Sequence, residues 1–379
     1  MAYPVHKVFV RNAPIFLLML LPLLLPGCVD ESPIKIGFLG GITGRVSDLG
    51  VAGRDAVLFA VEEKNRAGGI NGRRVELIVK DDQQDNVIVL QALHELIDEK
   101  VTAIVGPMTS SMAVKVQPLV NEHKVVMVSP TAKTDQLSGL DDYFLRVTIQ
   151  LSDNAKKMAH HVVYERGLKR FGVVYDLTNK AFTETWLDYF QQAMAREGGE
   201  VVYSEGFNLQ EDTRFLPMAE RVLGADVEGV LLLSNAIDTA LMAQQIRKLG
   251  SQVEMYSSEW AFTVDLLSFG GRAVEGMTSF HTFNVNSEEP RYVKFRDAFT
   301  KRFGYPPSFA TALAYDATTF LLAGLEKQPP PGQLKKTLLE MGTFPGLQSE
   351  IRINEFGDVE RKLFLTVVRD GQFQVVDSL

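Results

Sequence analysis

Cysteine is almost absent from this sequence, since Cys28 is the only one among 379 residues. An internal disulfide is therefore excluded, together with a cysteine metal cluster and thiol chemistry in the body of the chain. Positive charge is also scarce: the formal net charge is −8 and no basic stripe is visible, so we expect no nucleic-acid partner. What is present is a globular composition, 46% apolar and 23% charged, in a chain long enough for two domains.

The motifs of common enzyme classes are also missing. The glycine-rich segment 37–44 follows an apolar strand, but it contains neither the dinucleotide fingerprint G-x-G-x-x-G nor the P-loop lysine motif. No G-x-S-x-G nucleophile motif occurs. The six histidines show no metal-binding spacing, and the adjacent pair His160–His161 would face different sides of a helix. We therefore expect no enzymatic activity, no cofactor and no metal site.

A short apolar run dominates the amino-terminal region. Ala13–Pro26 is uncharged, follows a mildly basic start, and is shorter than the ~20 residues that a membrane-spanning helix needs. It is typical of the core of a secretory signal. Because it leads into Gly27–Cys28, it resembles the bacterial lipoprotein signal, in which the cysteine is acylated and tethers an exported protein to a membrane. We predict a lipoprotein signal peptide over residues 1–27 and a linker over 28–33; the alternative is a plain signal peptide or short anchor with an incidental cysteine.

From residue 34 onwards, apolar strands and amphipathic helices alternate. Ile34–Leu39 is a compact apolar strand, Val51–Asn65 follows with helical spacing, and the alternation continues up to a strand at Tyr143–Val147. It starts again at Leu151 and produces a second unit of about the same size. Strict strand–helix alternation predicts an α/β fold with two doubly wound parallel sheets, each covered by helices on both faces.

One central stretch, residues 101–140, combines two strand ends with many hydroxyl groups. A strand at Val101–Val105 stops at a Gly-Pro turn, and Thr109–Ser111 then stand where a helix should begin. The next strand, Val125–Val128, runs directly into the polar loop Ser129–Thr134. Ligands of parallel sheets bind outside the carboxyl ends of the strands, so these loops predict a site for a small anion such as a carboxylate. The alternative is that the hydroxyls only cap a helix.

Taken in order, these segments resemble the branched-chain amino-acid type of periplasmic solute-binding protein, the receptor component of ABC importers. The similarity covers essentially the whole mature chain, and its motifs are individually short but occur in a specific order. They are Ile34–Gly37 leading to Thr43–Gly44, Gly68–Gly72, Asp81–Asp82, Val105–Pro107 with Ser110, Val128–Ala132, Tyr143 with Arg146, Glu275–Gly276 and Tyr315–Asp316.

The resemblance implies the type I periplasmic-binding fold, two doubly wound lobes joined by a hinge that the chain crosses three times. Lobe 1 would comprise residues 34–148 plus 282–349, and lobe 2 would comprise residues 149–281 plus 350–379. Hinge closure would bury a ligand in the cleft between them. The implied function is capture of an amino acid or related small carboxylate for an ABC permease in the inner membrane, by a periplasmic or cell-surface receptor anchored through lipidated Cys28. A ligand-sensing receptor that feeds a signalling partner is the alternative.

From lobe 1, the resemblance places Ser110 against the ligand carboxylate, since this residue offers a hydroxyl and a backbone N–H at the positive end of a helix. A backbone carbonyl of Thr131 or Ala132 would meet a ligand ammonium, and Leu49 would touch the ligand from the first loop. Where relatives carry a hydroxyl side chain, this sequence departs from the pattern with Lys133. Its ammonium either pairs with a ligand carboxylate or extends into solvent.

From lobe 2, the resemblance places Glu259 against a ligand ammonium, with Trp260 beside it as a possible apolar wall. Phe182 falls where relatives usually place an aromatic side chain, and Asn235 falls where they sometimes do. The alternatives are a solvated loop carboxylate for Glu259 and a helix-capping role for Asn235 and Asp238.

Overall fold

The chain divides into two units, Met1–Glu31 and Ser32–Leu379. The computed structural model describes residues 1–7, 32–208 and 214–378. In the first unit, residues 1–7 form neither helix nor strand. The predicted signal run and the predicted lipidation site Cys28 lie outside the described residues. None of the helices in the described ranges combines the length and the apolar character needed to cross a membrane.

Strands and helices alternate through the second unit, as predicted. In chain order, the strands are β1 (Ile34–Gly40), β2 (Val75–Asp81), β3 (Ala103–Val105), β4 (Val126–Ser129), β5 (Phe144–Arg146), β6 (Arg170–Asp176), β7 (Glu200–Phe207), β8 (Gly229–Leu233), β9 (Glu254–Ser257), β10 (Thr278–His281), β11 (Thr343–Pro345), β12 (Glu350–Ile353), β13 (Val359–Glu360), β14 (Phe364–Arg369) and β15 (Gln372–Ser378).

The helices fill the intervals between these strands. They are α1 (Ser47–Arg66), α2 (Ile88–Asp98), α3 (Ser110–His123), α4 (Leu151–His160), α5 (Lys180–Glu197), α6 (Phe215–Gly224), α7 (Ala236–Lys248), α8 (Val264–Gly270), α9 (Pro290–Phe303), α10 (Phe309–Glu326) and α11 (Leu334–Leu339).

Two large sheets organise the second unit. The first has the strand order β2-β1-β3-β4-β5, and all of its pairings are parallel. The second has the order β15-β14-β10-β9-β8-β6-β7. Strands β3, β4 and β8 are buried along their whole length, which is typical of parallel strands covered on both faces. The predicted α/β fold with two wound sheets is therefore confirmed.

The second sheet departs from all-parallel order at one edge. Strands β14 and β15 form a hairpin that pairs antiparallel with β10, whereas β6 to β10 run parallel to one another. Its turn is Asp370–Gly371, where both residues have positive φ, 54° and 69°. An Asp-Gly turn of this kind matches the right-handed twist of the flanking strands, so a hairpin forms here rather than another crossover helix.

The chain passes between the two large sheets three times: after β5, after β10 and before β14. Between the last two crossings, α10 packs along α1 and returns to the first sheet. The side chain of Phe59 on α1 contacts the rings of Phe295 and Phe299 on α9, with centroids 5.9 and 5.8 Å away. Strands β11, β12 and β13 form a separate small sheet, which joins residues on both sides of the predicted lobe boundary at residue 350.

Two glycines allow the first sheet to present its loops at the carboxyl ends of its strands. Gly106, directly after β3, has φ of 123°, and a Cβ atom there would overlap the carbonyl oxygen of Leu39. In the first turn of α1, a Cβ atom on Gly50 would overlap the carbonyl oxygen of Gly41. Only glycine permits this close approach of backbones, so α1 begins directly against the loop after β1. This packing of α1 places Leu49 at the carboxyl ends of the strands in the first sheet.

Candidate functional site

A small cavity lies where the loops after β3, β4, β6 and β9 meet. Six of the eight predicted binding residues line it: Leu49, Ser110, Thr131, Lys133, Phe182 and Glu259. The volume of this cavity is only about 20 Å³. That volume corresponds to about one water molecule, so the cleft is closed and a larger ligand enters only when the walls move apart.

The other two predicted residues do not line the cavity. Ala132 is buried in the core of the first sheet, and its N–H donates to the hydroxyl of Ser129. Asn235 precedes α7, and its side-chain oxygen accepts a hydrogen bond from the N–H of Asp238. Of the two interpretations of Asn235, the structure therefore shows the helix cap.

The hydroxyl groups at the start of α3 do not cap that helix, contrary to one of the two predicted alternatives. Thr109 donates its hydroxyl hydrogen to the side-chain oxygen of Gln84 at 2.8 Å. The hydroxyl of Ser110 accepts a hydrogen bond from the backbone N–H of Lys133 at 3.0 Å. These bonds tie three loops of the first sheet together, and they leave the amino-terminal end of α3 without a side-chain cap.

The amino-terminal ends of α3 and α5 face each other across the cleft. The N–H of Ser111 on α3 donates to the side-chain oxygen of Asn179, which immediately precedes α5, at 3.0 Å. In return, the N–H of Ala181 in the first turn of α5 donates to the hydroxyl of Ser111 at 3.2 Å. Each helix amino terminus carries partial positive charge, so their convergence favours an anion in this region.

Lys133 and Glu259 form a buried ion pair across the cleft. The ammonium nitrogen lies 2.6 Å from the carboxylate Oε2, and the two side chains are 2% and 5% exposed. Asn154, from α4, also donates to Oε2 at 3.3 Å. Lys133 follows β4 of the first sheet, whereas Glu259 follows β9 of the second. The structure therefore rules out a solvent-extended Lys133 and a solvated Glu259 in this closed conformation.

Electrostatics around this pair disfavour additional positive charge. Burial lowers the pKa of the Lys133 ammonium, while the Glu259 carboxylate opposes that effect. His281, at the end of β10, lies in contact with the rings of Phe262 and Phe309. Burial, with a contribution from the charge of Lys133, lowers the pKa of His281 to about 3. The imidazole is therefore neutral at pH 7.

Two further polar contacts join the loops of the two sheets near the cleft. Arg45, after β1, forms an ion pair with Asp238 on α7. Thr263, which precedes α8, donates its hydroxyl hydrogen to the Asp48 carboxylate at 2.8 Å. With the Ser111 and Lys133 contacts, these bonds account for the closed state of the cleft.

Apolar side chains complete the lining, and among them Trp260 was expected as a wall beside Glu259. Trp260 packs edge-on against Phe182, with ring centroids 5.8 Å apart. Its indole nitrogen Nε1 is buried and donates to no partner among the described residues. Phe309 and Leu313 line the cavity from the first two turns of α10. These two residues were not predicted, nor were Met108 and Asn179, whereas Thr109 was expected among the hydroxyl groups at this strand end.

A usable signal existed for some of the missed residues. Ser308, directly before α10, and Thr311, in its first turn, form a capping box that locates the helix start and therefore Phe309. Asn179 is an amide side chain just ahead of a helical pattern. No sequence signal distinguishes the inner face of α10, because 14 of its 18 positions are buried and apolar residues occur on all sides of the helix.

The model of the periplasmic binding protein family matches residues 33–372 of this chain. A relative from Pseudomonas aeruginosa, named leucine-, isoleucine-, valine-, threonine-, and alanine-binding protein, is 24% identical over 86% of this chain and 87% of its own length.

Solved structures show the same fold. A branched-chain amino acid transporter substrate binding protein from Streptococcus pneumoniae, in complex with isoleucine, superposes with a TM-score of 0.83, at 23% identity over 91% of this chain and 99% of that one. An R. palustris solute binding protein in complex with benzoate reaches 0.82, at 16% identity over 91% and 96%. The names of these relatives describe solute-binding proteins rather than enzymes. Since one family model spans most of its length, this chain belongs to the periplasmic binding protein family.

Proposed function

We propose that this chain is the extracytoplasmic receptor of an ABC importer, and that it captures an amino acid or related small carboxylate in the cleft between its two sheets. One observation carries this proposal: a closed cavity with apolar walls lies where two helix amino termini converge. A buried anionic group gains from the partial positive charge of the helix ends, and an apolar body gains from the walls. Closure around the ligand is the working motion.

The predicted lobes remain part of this proposal. Lobe 1 would be residues 34–148 plus 282–349, and lobe 2 would be residues 149–281 plus 350–379. Support comes from the two large sheets and from the three crossings between them. Opening about those crossings would separate Lys133 from Glu259 and expose the cavity.

Six residues would contact the ligand. Ser110 and Lys133 would bind its carboxylate. Thr131 and Glu259 would form hydrogen bonds with other polar groups of the ligand. Leu49 and Phe182 would pack against its apolar part. Their common position around one cavity supports this assignment.

Export and anchoring through lipidated Cys28, followed by docking on a permease, complete the proposal. They are supported by family membership and by the sequence around Cys28. Labelling with a radioactive fatty acid tests the anchor, with Cys28→Ala as the control that should remain unlabelled.

Ligand capture is tested by a thermal-shift titration of the full chain, unfolded and refolded first to remove carried ligand. Amino acids, dicarboxylates, amides and aromatic acids form the panel. A ligand at 100 times its dissociation constant stabilises a folded protein by about 2.7 kcal/mol, which gives a clear shift in melting temperature. We expect at least one small carboxylate to produce it, and Ser110→Ala to reduce it. A panel without any shift contradicts the proposed function.

A further inference from the structure

We propose that the ligand of this cleft is a carboxylate that carries an apolar body and lacks an α-ammonium group. The inference rests on the proposed function, which leaves open whether the ligand is an amino acid, and it narrows the ligand class for the same cavity. It follows from the charges, hydrogen-bond donors and walls that the cavity offers.

The negative charge of the cavity is already neutralised within the chain. Glu259 is the only acidic side chain among the described residues that line the cavity. Its Oε2 atom accepts a hydrogen bond from the Lys133 ammonium at 2.6 Å and another from the Asn154 amide at 3.3 Å. An α-ammonium desolvated in this space is stabilised best by an opposite charge, and the one carboxylate of the described lining is already paired with the Lys133 ammonium.

A second cation would also lie close to the first. Any ammonium near Glu259 is near the Lys133 ammonium, and like charges in a buried site repel each other strongly because water no longer screens them. The neutral state of His281 behind the cavity reflects the same environment, in which burial and Lys133 together oppose protonation.

Hydrogen-bond donors that could bind an anion, in contrast, remain available in the cavity lining. The Lys133 ammonium has three N–H groups, and one of them is accounted for by Glu259 among the described residues. Trp260 lines the cavity, and its buried Nε1–H donates to no described partner. The uncapped amino-terminal end of α3 adds partial positive charge. A carboxylate can accept from these groups, whereas an ammonium cannot.

The walls specify the rest of the ligand. Leu49, Phe182, Phe309 and Leu313 line the cavity with apolar surface, and the indole ring of Trp260 adds an aromatic face. Such walls favour an aliphatic chain or an aromatic ring over a second charged group.

The test uses matched ligand pairs that differ only in the amino group. L-leucine is compared with 4-methylpentanoate and L-phenylalanine with 3-phenylpropanoate, by isothermal titration calorimetry on the refolded full chain. We expect each des-amino acid to bind at least about 10-fold more tightly than its amino acid, since an unpaired buried charge costs that much or more. If the amino acids bind more tightly, this inference is overturned while the proposed function stands. If neither series binds, the inference is overturned, whereas the proposed function is decided separately by the wider ligand panel.

Replacement of Lys133 should reverse the preference for des-amino acids over amino acids. Lys133→Met removes the ammonium and leaves the Glu259 carboxylate without its counter-charge, so a ligand ammonium can take that place. We expect the amino acids to gain affinity by about 10-fold, while the des-amino acids lose affinity because one donor is gone.

The matched control is the double variant Lys133→Met with Glu259→Gln, which offers no charge to an ammonium and should not gain amino-acid binding. An equal change for both ligand series in Lys133→Met overturns the inference. Because the ligand pairs on the unmodified chain give an answer by themselves, a poorly folded variant does not remove the test.

Discussion

The ion pair of Lys133 with Glu259 at the cleft and that of Arg146 with Asp358 near the crossings are both buried, but they differ in how completely they are hydrogen-bonded. Arg146 on β5 donates from Nε to Asp358 at 2.8 Å, and its other nitrogens donate to the Thr134 carbonyl and the Ser138 hydroxyl. The second oxygen of Asp358 accepts from the Gly139 N–H at 2.8 Å. Every nitrogen of this guanidinium and both oxygens of the carboxylate therefore have a partner.

The pair of Lys133 with Glu259 is much less completely bonded. The lysine ammonium contacts one carboxylate oxygen and faces the cavity. A saturated pair such as that of Arg146 holds loops in place and has no capacity for a ligand, whereas a lysine with unused donors beside a cavity can bind one. The comparison therefore separates a structural ion pair from one that is available for recognition.

Removal of the saturated pair of Arg146 with Asp358 should have the largest effect on the free energy of unfolding. Arg146→Met leaves Asp358 buried without its counter-charge, and we expect the free energy of unfolding to fall by about 3–5 kcal/mol. Urea denaturation measures it. Lys35→Met is the control, because its ion pair with Glu99 is largely exposed, and its unfolding midpoint should not change. A small loss in Arg146→Met would show that the two pairs do not differ as described.

Lys133→Met should destabilise less, by about 1–3 kcal/mol at pH 7, since Glu259 borders a cavity that can admit water. Urea denaturation at pH 7 measures this change. The double replacement with methionine at Lys133 and Glu259 should restore most of the stability, and a deficit that persists in it would contradict this account.

His281 provides a test of the charge environment behind the cavity. Its pKa is lowered to about 3 in the folded state, against 6.5 for the ordinary side chain. Between these values the unfolded chain binds a proton that the folded chain does not. Its contribution to stability is therefore present above pH 6.5 and is lost towards pH 3, by about 1.4 kcal/mol for each pH unit. In His281→Phe, the difference in unfolding free energy from the unmodified chain should change with this slope; parallel pH profiles would contradict it.

The smallest expected effect concerns the reciprocal contact between α3 and α5. Ser111→Ala removes the hydroxyl that accepts from Ala181 and leaves the hydrogen bond from the Ser111 N–H to Asn179. We expect a loss of about 0.5–1.5 kcal/mol in ligand binding, or roughly 3- to 10-fold in the dissociation constant, because the contact exists only when the cleft is closed. Calorimetry measures it. Thr185→Ala is the control, since its hydroxyl bonds within α5, and its ligand affinity should not change.

Local patterns predicted the fold and one part of the site. The alternation of strands and helices predicted both sheets, and the hydroxyl-rich strand ends predicted a binding site that includes Ser110. Phe182 and Glu259 were expected near the ligand from the resemblance to periplasmic solute-binding proteins, and all three residues line the cavity. For Asn235 the sequence left two interpretations open, contact with the ligand or capping of a helix together with Asp238. The structure shows that it caps α7.

Other features depend on contacts between distant parts of the chain. Lys133 and Glu259 are 126 positions apart, and no local pattern shows that their loops meet. Local residue preferences account for the turn at Asp370–Gly371, but they do not show that β14 pairs antiparallel with β10 at the edge of the second sheet. Phe309 enters the site because α10 returns to the first sheet after the second crossing, which is also a tertiary event.

The pairing of β10 with β14 has a further consequence for the order of folding. Helices α9 and α10, which pack with the first sheet, are encoded between these two neighbouring strands of the second. Neither half can therefore be completed from one continuous stretch of chain, and the second sheet closes only after β14 has been made. Such non-local pairing slows folding and keeps partly made chains incomplete. The interlacing of the two sheets thus delays the native state until nearly the whole chain is available.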